Sequence, residues 1–161
     1  MLQGDFPKEN TIYQRNLKTT LDGERNFWRA MCDYPKAIRR YLAKDAVVVL
    51  PGGAILPAHD DEHEHALPPD ADSGSDSGSL KDALAEIKPW TRFRIHDDPY
   101  FVEIDMMATS LIYRITLERL DASDGSVAEE CEAVGSSVWR QDAAGEWWLC
   151  VHHVTVLPAR T

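Results

Sequence analysis

The sequence predicts an α+β fold in which a few helices are followed by a curved antiparallel sheet, and three features carry that expectation. Apolar residues recur at helical spacing between residues 22 and 45. Strand-like segments fill nearly everything from Trp90 to Leu157. Between them lies one stretch, about residues 57–79, with almost nothing to bury. A chain of 161 residues with 43% hydrophobic content has apolar mass for one sizeable core and too little length for two ordinary domains, so residues 1–161 are read as a single domain.

Phe27, Trp28 and Met31 share one helical face, and Ile38, Tyr41 and Leu42 repeat the pattern after a break at Asp33-Tyr34-Pro35, where the proline suits the first turn of a new helix. A helical hairpin is the result. Ala46 to Leu50 is a β-branched run closed by Pro51-Gly52-Gly53, a strand and a turn. The stretch from 57 to 79 is rich in His, Asp, Glu, Ser, Gly and Pro and is read as a mobile acidic insertion, because it cannot offset the entropy of its own ordering. Leu80, Leu84 and Ile87 mark a third short helix. Strand segments follow near 91–105, 107–120, 128–141 and 146–157, with hairpin turns at Asp121–Gly125 and Asp142–Gly145.

The formal charge of −10 includes seven acids in residues 57–79, a stretch without Lys or Arg, and the rest of the chain carries −3. With no basic stripe, neither nucleic acid nor an anionic membrane surface is an expected partner. Cys32, Cys131 and Cys150 are odd in number and lack CxxC spacing, so neither a disulfide scaffold nor a zinc knuckle is indicated and buried free thiols are expected. No stretch approaches the roughly 20 apolar residues of a spanning helix, and a cytoplasmic protein is expected.

Helices, one strand, a helix and then a long meander resemble the nuclear transport factor 2-like superfamily, a cone of curved sheet wrapped on helices. The likeness reaches local words: the run Tyr41 to Pro51 at the first strand, Ser137-Val-Trp139-Arg140 before the last hairpin, and the run Gly145 to His153 in the last strand. The chain is similar to the SnoaL-like polyketide cyclases, the ketosteroid isomerase-like group and the association domain of calcium/calmodulin-dependent kinase. That resemblance implies a cofactor-independent pocket protein, an enzyme or a module without catalysis. In ketosteroid isomerase-like proteins the catalytic carboxylate precedes the proline after the first strand, which here is the position of Leu50. The oxyanion-binding tyrosine falls at about Asn26 and the proton-donating acid at about Ser137. Leu50 cannot take a proton from carbon, so these departures weigh against the isomerase mechanism.

The same register places Trp148, Cys150, His152 and Val154 inside the cone, and Trp147, Leu149, Val151 and His153 outside it. His152 is then the foremost catalytic candidate, because an imidazole in an apolar pocket suits a general acid or base. Tyr113 could hold a ligand oxygen or satisfy His152 instead. Trp28, Tyr41 and Trp148 supply flat walls for an apolar or aromatic metabolite, and Ser137 and Cys150 line the same space. His59, His63 and His65 among acids invite a metal reading, but their spacing matches no ligand motif and no metal is assigned. Two functions remain open. One is a cyclase, isomerase or dehydratase using His152; the other is a ligand-binding or homo-oligomerising module. Apolar residues on the outer face, Trp147, Leu149, Val151, Val134, Val138, Ala108 and Ile112, point to a back-to-back homodimer.

Overall fold

The computed structural model describes residues 11–51, 53–58 and 80–159. Residues 59–79, which hold nearly all of the expected insertion, lie outside the described residues; Pro57 and Ala58, at its start, are described. Helix α1 spans Thr11–Asp33 and a 3-10 helix spans Pro35–Tyr41. Strand β1 is Leu42–Val49, β2 is Ile55–Pro57 and helix α2 is Leu80–Glu86. Among the described residues five strands follow: β3 (Arg92–Ile95), β4 (Tyr100–Asp105), β5 (Ala108–Leu120), β6 (Val127–Gln141) and β7 (Trp147–Val156).

One long helix and a 3-10 helix stand where the sequence predicts two short helices. Pro35 ends α1 as expected. The first turns of α1 escape periodicity because their inner face carries the buried polar side chains Asn16, Thr20 and Glu24. The strands form one seven-stranded sheet in the order β2-β1-β7-β6-β5-β3, with β4 beside β3 along the same edge of β5. All neighbours are antiparallel except β1 and β7, which run parallel and set Val48 beside His152. Both predicted turns form, with Gly125 and Gly145 at positive φ, 71° and 88°. The 91–105 segment divides at residues 96–99, where Asp98 adopts φ 58°, and His96 belongs to that bend.

Along β5 every second residue from Thr109 to Leu117 is buried, as are Ala133, Gly135, Ser137 and Trp139 on β6. On β7 the expected alternation fails at one point. Val138 pairs with Val151 but Trp139 pairs with Leu149, so Cys150 is an extra residue, a β-bulge, and every side chain before it changes face. Leu149 is therefore fully buried and Trp148 pairs with the exposed Arg140 on the outer face, while Trp147, Trp148 and Cys150 are all partly buried against the core. After the bulge the predicted register stands: His152 and Val154 are buried, and Val151 and His153 are exposed. No described helix is long and apolar enough to cross a membrane.

Candidate functional site

Glu24 is a charge set into the apolar stripe of α1, three and four residues before Phe27 and Trp28, and it is completely buried. Such a carboxylate is tolerable only with donors on both oxygens. Oε1 accepts from the Tyr113 hydroxyl in a short bond and from Ser137 Oγ at 2.7 Å. Oε2 accepts from Trp139 Nε1 at 2.8 Å. His152 Nδ1 lies 3.4 Å from Oε1. Burial pushes the Glu24 pKa up, but the hydrogen bond and attraction to His152, with the bonds from Tyr113 and Ser137, outweigh it and hold the carboxyl below its ordinary value. Burial and then the Glu24 charge push the Tyr113 phenol well above its own, which keeps that hydroxyl a donor.

Two glycines make room for this arrangement. Gly135 faces Tyr113 across the β5–β6 ladder, and a Cβ there would come within 2.4 Å of the phenol Cζ. At Gly23 a Cβ would meet the Trp139 ring at 2.9 Å. Both aromatic donors reach Glu24 because backbone without a side chain lets them lie flat.

The tautomer of His152 follows from proton counting. Ser137 has one hydroxyl proton and gives it to the Glu24 carboxylate, so its oxygen accepts from His152 Nδ1 at 3.0 Å. Nε2 is left on the other edge of the ring, and His152 lines an apolar cavity of about 260 Å³ with Phe27, Trp28, Met31, Leu50 and Trp90 on its wall. The imidazole is clasped by Phe27 and Trp28, with ring centroids 4.2 and 5.5 Å away. Trp28 is itself fixed, since its Nε1 donates to the Tyr113 oxygen at 2.6 Å. A larger hollow of about 1070 Å³ involves His96, Arg114 and Glu132. There the imidazole is already tied to Thr116 Oγ1 at 2.8 Å, and Thr116 donates to Glu132.

Of the expected site residues, the structure brings Trp28, Leu50 and His152 to one cavity. Tyr113 and Ser137 stand behind His152, with their hydroxyls committed to Glu24. Asn26 is exposed on α1 and accepts from Arg29 at 2.7 Å. Tyr41 ends the 3-10 helix under the Arg40 guanidinium, away from the cavity wall. The Trp148 indole donates to the Asp142 carboxylate at 2.9 Å, in the turn before β7. Cys150, displaced by its own bulge, also leaves the cavity. Burial raises the Cys131 and Cys150 thiols and takes Cys32 to about 11, so none is a ready thiolate at neutral pH. Among the described residues no cluster of three His, Cys, Asp or Glu side chains could hold a metal, and His59, His63 and His65 lie outside them.

Sequence reasoning missed Glu24 and Trp139. The signal was present: an acid at the i−3 and i−4 positions of the Phe27/Trp28 face belongs either to a misread helix or to a buried site.

No family model matches the chain, and no curated protein matches it. Solved structures do. ActVI-ORFA from Streptomyces coelicolor superposes with a TM-score of 0.65 at 11% identity, over 88% of this chain and 97% of that one. The LinA-type3 hexachlorocyclohexane dehydrochlorinase from Novosphingobium barchaimii LL02 gives 0.61 at 9% identity, over 90% and 88%. The association domain of C. elegans CaMKII gives 0.60 at 13%, over 89% and 97%. Further matches bear the nuclear transport factor 2-like name itself. The chain has the nuclear transport factor 2-like fold. Proteins of this fold include an enzyme and an association domain, so the fold admits either role.

Proposed function

We propose that the chain is a cofactor-independent acid/base enzyme acting on a small, largely apolar molecule, with His152 taking and returning the proton. One observation carries this reading. Among the described residues that line the apolar cavity, His152 is the only imidazole or acid, and its Nδ1 edge is held by Ser137 and Glu24 while the Nε2 edge is left for a ligand. A buried carboxylate behind an imidazole orients it and stabilises its protonated form, which is what a general base requires.

The donors decide between reaction types. A reaction through an enolate needs a hydrogen-bond donor fixed at the developing oxyanion, but Tyr113, Ser137 and Trp139 all donate to Glu24, Trp28 donates to Tyr113, and the unpaired Lys88 is an exposed residue at the cavity's edge rather than a donor fixed beside His152. Elimination makes no such demand. His152 Nε2 would remove a proton from carbon, the C–H electron pair would form the double bond, and the leaving group would depart from the adjacent carbon with its own pair, a departing hydroxide taking up the proton that His152 returns and leaving as water. A dehydratase-type lyase is therefore favoured over an isomerase or cyclase. The test is a panel of small β-hydroxy and β-halo compounds followed by ultraviolet absorbance of the new double bond. Wild type should convert at least one, and His152→Gln should do so about 10²-fold more slowly. A panel without product, or equal turnover by the variant, overturns the proposal.

A non-catalytic assembly role has one observation in its favour. On the outer sheet face Tyr100, Val102, Ile112 and Val151 are all exposed apolar side chains, and back-to-back association of two copies would cover them. Such a homodimer is compatible with catalysis within each cone.

A further inference from the structure

One lip of the cavity is made by the short linker between α2 and β3, and Arg119 of β5 holds that linker in place. Its Nη2 donates to the Lys88 carbonyl at 2.9 Å and its Nε to the Pro89 carbonyl at 3.3 Å. Its guanidinium lies 3.9 Å from the centre of the Trp90 ring. Nη1 is paired with Glu129. Arg119 thus has its donors and its charge committed to the protein. Lys88 does not. Its backbone is pinned by Arg119, and it is an exposed residue at the edge of the cavity, yet among the described residues nothing pairs with the ammonium. Glu86, two residues earlier, makes no ion pair with it.

An unpaired cation at the mouth of an apolar cavity can pair with the charged end of a ligand whose apolar body the cavity takes up. The cavity, about 260 Å³, is at or below the small end of ligand pockets, roughly 300 to 1,000 Å³. Its wall is aromatic and aliphatic from Trp28 and Trp90 to Val154. We propose that the ligand of this cavity is a small apolar-bodied carboxylate, whose charged end pairs with the Lys88 ammonium while its body packs against Trp28 and Trp90, within reach of His152. This rests on the cavity being the ligand site, as proposed above, and adds the anionic end as a selection rule. Lys88 is on this view a specificity residue that touches the ligand but takes no part in proton transfer.

The test compares cyclohexanecarboxylate with its uncharged analogue cyclohexanecarboxamide, following the fluorescence of the tryptophans at millimolar ligand. Wild type should bind the carboxylate about five-fold or more tighter than the amide. Lys88→Met, which keeps the apolar stem of an exposed side chain, should bring the two affinities together, and Lys88→Arg should restore the preference. Equal binding of both probes by wild type overturns the carboxylate proposal while leaving the cavity a ligand site. A preference that survives Lys88→Met overturns the role of Lys88. Absence of binding by either probe overturns the ligand site and the proposal together.

Discussion

Replacing Glu24 by Gln keeps the shape of the side chain but gives one of its two ends the wrong polarity. If the amide oxygen accepts from Tyr113 and Ser137, the amide nitrogen faces Trp139 Nε1, donor against donor. Turning the amide round leaves two donors unmatched instead of one. The loss of a bond to a buried charge is worth about 1.5–3 kcal/mol, and an orphaned buried donor adds about 1–3 kcal/mol. Weakened attraction to His152 acts in the same direction. We expect a net destabilisation of about 3 kcal/mol, and for a chain of this length a fall of roughly 6–12 °C in Tm. The pH dependence is a sharper signature. The folded Glu24 has its pKa depressed below 4.5, so the unfolded state binds the proton more readily. Its contribution is full above the unfolded carboxyl pKa and is lost as pH falls through the folded value. The gap in urea-unfolding free energy between wild type and Glu24→Gln should therefore be complete at about pH 7 and narrow as pH falls below about 4.3. A variant as stable as wild type at neutral pH, or a gap of constant size through the acid range, would refute the placement of an ionised Glu24 at the centre of the cone.

Gly135→Ala drives a methyl group into the Tyr113 ring and should destabilise by about 1–3 kcal/mol from overpacking, more if the phenol leaves Glu24; combined with Tyr113→Ser, which removes the ring, the loss in chemical denaturation should be smaller than the sum of the two single variants. Val151→Glu puts a charge on the outer face at a residue 42% exposed, so it should give a folded monomer by analytical ultracentrifugation that still unfolds cooperatively, at a Tm lowered only by the lost association, while wild type sediments as a dimer; a wild-type monomer at micromolar concentration removes the homodimer.

The fold was legible because its signals are local. A proline at residue 35 cannot continue a helix, Asp and Gly at 121–125 and 142–145 favour hairpin turns, and alternating apolar residues along β5 mark a face wherever the strand lies. His152 was legible for the same reason, by counting two residues at a time from the start of β7. The counting failed only N-terminal to Cys150. A bulge exists only in the pairing with β6 and leaves no mark in the composition of β7, so Trp148 and Cys150 read as inner residues while Leu149 read as outer.

The rest of the site depends on contacts between distant parts of the chain. Glu24 and Trp139 are 115 residues apart, Glu24 and Tyr113 are 89 apart, and Trp28 and Tyr113 are 85 apart. An isolated acid in a helical stripe could as well have faced water. What makes it a buried charge is that β5 and β6 bring three donors to it, and that Gly23 and Gly135 leave room for two of those donors to arrive. Residue types and spacing thus determined the elements, their order and one inward histidine. Only tertiary packing decided that Tyr113 and Ser137 hold Glu24 rather than a ligand, because hydrogen-bond partners are chosen by distance in space and not by distance along the chain.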